Sequence, residues 1–476
     1  MKHYQHFING QQTSPSNGEQ IEVVDPSSGE VFASIARGNA SDVQIAIVAA
    51  QNAFEGSWRK FTAAERGRLL QALGRAILAH QDELATLEMR DCGKPWKQAN
   101  NDVIACARYF EFYGGAAPVF HGETIPYADG YSVLTWREPY GVTGHIIPWN
   151  YPMQIYGRSV AAALAVGNCS VVKPAEDACL SLLRITELAH ELGFPAGVVN
   201  IVTGYGKEAG AALVQSPGTQ HISFTGSAAT GAWVSAAAAQ RHCPVTMELG
   251  GKGPNVVFAD ADWERALPSL VNAIIQNAGQ TCSAGSRVLV EKSLYPELVK
   301  ALSQRFSALV AAAGQADRDL GPVIRASQQA RIQEYLGLAP ELIAAQGSID
   351  ASAPKGGFYI KPTLLKDVPI THRLAQEEIF GPVLCVSAFA DENEAVKLAN
   401  GTEFGLVAGV WTRDVGRAMR MAKAVQAGQV YVNNYGAAGG IELPFGGYKA
   451  SGHGREKGFE GLYGFSQLKT VSIAHH

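Results

Sequence analysis

Charge is scarce in this chain of 476 residues: 17% of positions are Asp, Glu, Lys or Arg, below the usual ~25%. The 39 Lys and Arg against 43 Asp and Glu leave a formal charge of -4, with no basic tract, so nucleic acid is not an expected partner. Long apolar runs are missing too. The longest, Ser159 to Val172, is broken by Gly167 and Asn168 and falls short of the roughly 18 residues a spanning helix needs. The opening MKHYQHFING is polar and has no apolar core of signal-peptide length, which predicts a soluble, cytoplasmic protein. Seven cysteines without a CxxC pair suit neither a disulfide framework nor a zinc ribbon; with the histidines dispersed as well, no metal is expected.

What the chain has is length and glycine. It is long enough for more than one domain and a large core. Its 51 Gly and 22 Pro make about 15% of the residues, against roughly 12% in average usage, so many positions need unusual backbone or close approach.

The first 120 residues read as mainly helical after a short extended start. Thr62-Ala-Ala-Glu65 has the spacing of a capping box, and Leu69, Leu73, Ile77, Leu84 and Leu87 follow at helical period. From about 140, strands at Val142–Ile147, Ser170–Lys173, Val198–Val202 and His221–Phe224 alternate with helical patterns near 153–166, 177–192 and 207–215. A second alternating block follows Gly250-Gly251, with strands at Arg287–Glu291, Pro382–Ala388, Val407–Trp411 and Gln429–Val432 and helices at 262–277, 295–313 and 391–400. This alternation predicts parallel sheets covered by helices, in two α/β domains meeting near residues 250–254. Tyr127–Arg137 and Phe465–Ile473 alternate polar with apolar and belong to neither block. They are either strands that complete an oligomer or surface hairpin strands of one subunit.

Several segments carry chemistry, each with two readings. Gly204-Tyr-Gly206-Lys-Glu-Ala-Gly210 misses the dinucleotide fingerprint by one residue and suits a plain strand-to-helix turn equally well. Phe224-Thr-Gly-Ser-Ala-Ala-Thr-Gly231 offers backbone N–H groups at a helix start, either a seat for a pyrophosphate or an ordinary cap by Thr225 or Ser227. Cys282 lies among small and polar residues, unlike Cys385 within PVLCVSAF, so it is either an activated nucleophile or a loop cysteine. Glu248 ends an apolar strand before two glycines, as a general base or as a salt-bridge partner at the domain junction. Asn150, in Ile147-Pro-Trp-Asn-Tyr-Pro152, is held between prolines as an oxyanion donor or as a turn residue.

The segments PWNYP, VVKPAE, FTGS, MELGGK, GQTCSAGSR, EEIFGPV and LPFGGYKASGHGRE, in this order, resemble those of the NAD(P)-dependent aldehyde dehydrogenase superfamily, and the likeness runs from FINGQ to QLKTV. The resemblance implies an α/β fold of two doubly wound domains with a small β oligomerisation element. Residues 1–120 and 141–249 would form the Rossmann-type NAD-binding domain, 250–455 the catalytic domain, and 121–140 with 456–476 the oligomerisation element of a homodimer or homotetramer. It also implies a catalytic set of Cys282 as nucleophile, Glu248 as base and Asn150 as oxyanion donor, with Lys173.

Lys173 and Glu176 match ribose-binding positions, and a carboxylate there repels a 2′-phosphate, favouring NAD over NADP. Ser227 matches the pyrophosphate contact, and Glu378 and Phe380 the nicotinamide ribose. Ile146, Pro148, Trp149, Gly206, Gly210, Phe224, Thr225, Gly226 and Leu249 complete the implied cofactor site. The implied reaction is oxidation of an aldehyde to its acid by the hydrolytic route. The alternatives are a CoA-acylating semialdehyde dehydrogenase, a kind that tends to lack the base found here as Glu248, and, more distantly, a non-catalytic structural or binding role. Arg158, Met153 and Tyr435, with the small loop 435–440, match positions lining the substrate tunnel. Arg158 either pairs with a substrate carboxylate, pointing to a semialdehyde, or turns outward as a solvated helix residue, and an aromatic aldehyde also fits.

Overall fold

Five short runs rich in Val, Ile and Thr form the parallel centre of the first sheet: Val142–Ile147, Cys169–Pro174, Val199–Ile201, His221–Thr225 and Val245–Glu248. The structure, a computed structural model, describes residues 1–436 and 439–475. Numbered in chain order, these strands lie 3-2-1-4-5, the order of a dinucleotide-binding sheet. The connections reverse direction between Val142–Ile147 and His221–Thr225, so a crevice opens beyond the carboxyl ends of those two neighbours. Burial of almost every residue in these strands explains their continuous rather than alternating apolar pattern.

The strands that flank this parallel centre come from far away in sequence. His6–Ile8 pairs antiparallel with Val199–Ile201 and carries the edge strand Gln11–Thr13, and Gly452–His453 pairs antiparallel with Val245–Glu248. The second pairing corrects the sequence-based grouping of 452–453 with the catalytic block. It requires glycine: Gly452 has φ +111°, and a Cβ there would lie 2.0 Å from the Met247 carbonyl oxygen.

The amino-terminal segment also differs from expectation. Lys2–Tyr4, Gln20–Asp25 and Glu30–Ala36 form a three-stranded sheet. Gln20–Asp25 alternates exposed and buried residues, a strand period too short to stand out beside the helices that follow. Those helices are Ala40–Glu55, Ala63–Ala79, Gln81–Cys92 and Trp96–Ala116. The capping box forms as predicted, with the Glu65 backbone N–H donating to Thr62 Oγ1 and the Thr62 N–H to the Glu65 carboxylate. Leu73, Ile77 and Leu84 are fully buried, joined by Leu70, while Leu69 and Leu87 sit at the core's edge.

The second sheet runs Ile343–Gln346, Thr363–Leu365, Val383–Phe389, Arg287–Glu291, Pro254–Val257, Val407–Trp411 and Gln429–Val432, parallel except for the first. Pro254–Val257 is central yet only four residues long and begins with proline, so the sequence pattern hid it. The helix expected over 295–313 stops at Ala308, because Val310–Ala311 turns into a short strand. Of the two orphan segments, Tyr131–Pro139 pairs antiparallel with Ser466–Ala474 over nine positions, flanked by Thr124–Ile125. This small sheet leaves Tyr131, Trp136, Leu468 and Ile473 about half exposed. Among the described residues no helix is long and apolar enough to cross a membrane.

Candidate active site

The crevice at the strand reversal becomes a cavity because three strands end in loops beside it. Val142–Ile147 runs into Pro148-Trp149-Asn150, His221–Thr225 into Gly226-Ser227, and Val245–Glu248 into Leu249-Gly250. With Cys282, Gln328, Arg331, Glu378 and Phe380 from the second half of the chain, these loops line a cavity of about 270 Å³.

Cys282 is delivered by an unusual turn. After helix Trp263–Ile275 the chain takes three successive left-handed residues, Asn277 (φ 48°), Ala278 (φ 53°) and Gly279 (φ 76°). Non-glycine residues in that region are strained and persist only when over-determined by their surroundings. Here the Asn277 backbone N–H donates to Gln98 Oε1 (3.0 Å) and its Nδ2 to the Asn150 carbonyl (2.8 Å). Gln280 Nε2 in turn donates to the Asn277 carbonyl (3.0 Å). Backbone contact fixes the other side: a Cβ on Gly251 would lie 2.3 Å from the Cys282 carbonyl oxygen, so only glycine lets the segment after Glu248 lie against the cysteine. Burial pushes the Cys282 thiol up to about 11, opposed by the positive charge of Arg158.

Asn150 is 4% exposed, and its Nδ2 donates to the Gln280 carbonyl (3.0 Å), which leaves the second amide N–H free beside the cysteine loop. Glu248 is 1% exposed and neither carboxyl oxygen has a hydrogen-bond partner. Burial raises it well above the usual carboxylate range, again opposed by Arg158. A buried carboxyl without partners is costly to ionise, and a group raised in this way inside a cleft is suited to exchanging a proton.

Of the residues matched to cofactor binding, Pro148, Trp149, Thr225, Gly226, Ser227, Leu249, Glu378 and Phe380 line the cavity. Ser227 is also the cap of helix Ala228–Ala239, accepting from the Thr230 N–H (3.3 Å), so both readings of that loop hold at once. Phe224 packs directly beneath Gly226, where a Cβ would lie 2.6 Å from its ring. Glu378 accepts from the Gly251 N–H (3.0 Å), and burial raises its carboxyl to about 7. Phe380, itself left-handed (φ 60°), meets Trp149 edge to face at 5.4 Å. Ile146 packs into the core beneath. Gly206 and Gly210 bound a single π-helical turn close to the Lys173 side chain. These positions fit an extended dinucleotide: an anion seat at the capped helix start, a carboxylate at Glu176, and a cavity reaching Cys282.

Four further matched residues have defined surroundings. Lys173, 3% exposed, donates to Glu176 (3.1 Å), its partner among the residues matched to the ribose. Met153 is fully buried and packs in the core. Arg158 is neither solvated nor free for a substrate carboxylate: it is 6% exposed, ion-paired with buried Glu456, and donates to Thr225 Oγ1 (3.0 Å). Tyr435 leans on the nucleophile loop, its hydroxyl donating to the Ser283 carbonyl (2.8 Å), while Ala437 and Ala438 of the same loop lie outside the described residues. Gln328 and Arg331, not anticipated, hold the Glu378–Phe380 segment by donating to the carbonyls of Phe380 (2.8 Å) and Glu378 (3.0 Å). Their helix, Ala326–Gly337, buries little and so shows no apolar stripe in the sequence. No group of three metal-ligating side chains occurs among the described residues.

A dinucleotide-type sheet whose switch point opens on a cysteine, a buried carboxyl and an anchored amide defines a cofactor-dependent enzyme working through a covalent thiol adduct. Comparison with known proteins agrees. The aldehyde dehydrogenase family model matches residues 13–471, and the chain belongs to that family. It is 41% identical over 473 residues to a mitochondrial benzaldehyde dehydrogenase of Antirrhinum majus, covering 98% of this chain and 88% of that protein. A crystal structure from Burkholderia cenocepacia is 61% identical with a TM-score of 0.98, over 99% of this chain and 100% of that one. Betaine aldehyde dehydrogenase of Staphylococcus aureus, solved with NAD+, is 35% identical with a TM-score of 0.94, over 98% and 94% of the two chains.

Proposed function

We propose that Cys282 is the nucleophile, Glu248 the general base and Asn150 the oxyanion donor in the NAD-dependent oxidation of an aldehyde to its carboxylic acid. The observations that carry this assignment are an anchored amide lining the same cavity as the cysteine, and a partner-free buried carboxyl three residues before Gly251, which lies against the Cys282 backbone. Cys282 passes its thiol proton to solvent and its sulfur bonds to the aldehyde carbon while the carbonyl π pair moves to oxygen; the resulting oxyanion of the thiohemiacetal is held by the free Asn150 N–H and the Cys282 backbone N–H. Bound NAD supplies the hydride acceptor. The adduct on Cys282 thereby becomes a thioester, and Glu248 takes a proton from the water that cleaves it, releasing the acid and the thiol.

Glu176 beside Lys173 supports NAD over NADP, since a carboxylate at the ribose repels a 2′-phosphate. The half-exposed apolar side chains of the sheet formed by Tyr131–Pro139 and Ser466–Ala474 support a homodimer or homotetramer assembled through it. Seven free thiols support a reducing compartment, the cytoplasm. The substrate is a small-molecule aldehyde, and with Arg158 engaged by Glu456 its class is decided by other residues.

Glu248→Gln tests the assignment. An NADH burst stoichiometric with enzyme should persist while steady turnover falls about 10²–10⁴-fold, the usual range for a lost general base. Full steady turnover in the variant would remove Glu248 from the mechanism.

A further inference from the structure

Near Cys282, outside the lining of the dinucleotide cavity, two cations share one aromatic ring. Phe445, 6% exposed, forms a small apolar cluster with Leu406 and Val407, against which Cys282, Tyr431 and Tyr435 pack. The Arg158 guanidinium lies 5.3 Å from the centre of its ring and Lys457 Nζ lies 5.1 Å from the same centre, with the Tyr109 ring 6.0 Å from Nζ. The cations differ in their counter-ions. Glu456 pairs with Arg158 and also accepts from Ser223 Oγ (2.7 Å). Among the described residues no carboxylate lies within ion-pair distance of Lys457, whose single hydrogen bond goes to the Gly439 carbonyl (3.2 Å) in the loop beside Tyr435. Burial and the neighbouring Arg158 charge lower Lys457 to about 8, so a carboxylate brought beside it would supply the counter-ion it lacks and hold its proton in place.

Backbone strain accompanies that charge. Lys457 has φ 61° and ψ 166°, a region occupied almost only by glycine, yet the residue is lysine and the very next residue is Gly458. A flexible polar side chain held there at a conformational cost, with an ammonium that has further donors to offer, marks a position kept for contact. Arg455 does not serve the same end, because its guanidinium is spent on the carbonyls of Gly447 (3.2 Å) and Gly454 (2.6 Å) and rests against Tyr448.

We infer that Lys457 receives the carboxylate of a substrate carrying both an aldehyde and an acid, whose intervening carbons pass along Phe445 while the aldehyde reaches Cys282. This rests on the assignment of Cys282 as nucleophile. Arg158 then contributes field rather than contact, and the rings of Phe445 and Tyr109 pack the spacer without fixing whether it is aliphatic or aromatic.

The test compares kcat/KM, read as NADH formation at low salt, for succinic semialdehyde against butanal and for 4-carboxybenzaldehyde against benzaldehyde. Wild-type enzyme should favour the acid-bearing member of at least one pair by about tenfold or more. Lys457→Met should reduce that preference roughly tenfold to a hundredfold, chiefly through KM, as expected for a lost hydrogen bond to a charged group, and Lys457→Arg should restore most of it. A wild-type preference for the neutral aldehyde in both pairs, or a preference that survives Lys457→Met, overturns the inference. NADH from none of the four aldehydes in wild-type enzyme would instead overturn the assignment of Cys282, and the inference with it.

Discussion

Two buried cation clusters flank the nucleophile, and they use charge in opposite ways. On one side Lys94, 1% exposed, contacts Glu88 (2.6 Å) and Asp102 (2.5 Å) and lies over the Tyr151 ring at 4.4 Å. Burial pushes the Glu88 carboxyl up against the pull of Lys94, and the cluster satisfies both of its carboxyls with the one cation. Its remaining capacity goes to scaffolding. Gln154 Nε2 donates to Asp102 (2.6 Å), the Met153 N–H to Glu88 (3.4 Å), and the Tyr151 hydroxyl shares a hydrogen bond with Thr281 Oγ1 (2.9 Å), next to Cys282. On the other side Glu456 pairs with Arg158, while Lys457 has no carboxylate within ion-pair distance among the described residues. The first cluster positions the Asn150 and Cys282 loops; the second leaves charge to spare for a ligand.

The contrast can be broken from the closed side first. Lys94→Met leaves two buried carboxyls without their cation and should cost about 3–5 kcal/mol of stability, measured by denaturant unfolding of the whole enzyme. A loss under 1 kcal/mol would mean that the cluster does not hold the loops. Arg158→Met should cost less, about 1–3 kcal/mol, because Ser223 still donates to Glu456. Its main effect should be on titration. A nearby cation lowers an acid's pKa, so without Arg158 both Glu248 and Cys282 rise and turnover at neutral pH falls, recovering at higher pH. An unmoved pH profile would show that Arg158 does not act on them. The smallest effect sharpens the comparison: Lys457→Gly relieves the backbone at φ 61° and should raise stability by about 1 kcal/mol while losing the side chain. No gain would mean that lysine sits there without strain.

Much of this site was legible in the sequence because its chemistry is carried by short local segments. Cys282, Glu248 and Asn150 each stood out within six residues of their own neighbours, and Ser227 was readable as a helix start. The groups that tune them were not, since they depend on pairings between distant positions. Lys94 acts on the Asn150 loop from 56 residues upstream, and Arg158 meets Glu456 across 298 positions. Arg158 was found by its register but misjudged, because no local pattern announces a counter-ion on another element. In the fold, alternation identified the longer strands, while Pro254–Val257 escaped through brevity although it sits mid-sheet.

The strand Gly452–His453, the Glu456 carboxylate and the Phe445 ring all come from one late stretch of the chain and close onto parts made hundreds of residues earlier. During synthesis, a nascent chain that has already passed Asn150, Glu248 and Cys282 therefore still has an unpaired edge on its cofactor sheet and a guanidinium without its counter-ion. Competence arrives late on the ribosome, and a premature stop before residue 445 yields a thiol-bearing fragment with an open sheet edge, a substrate for chaperones and proteases before it is a catalyst.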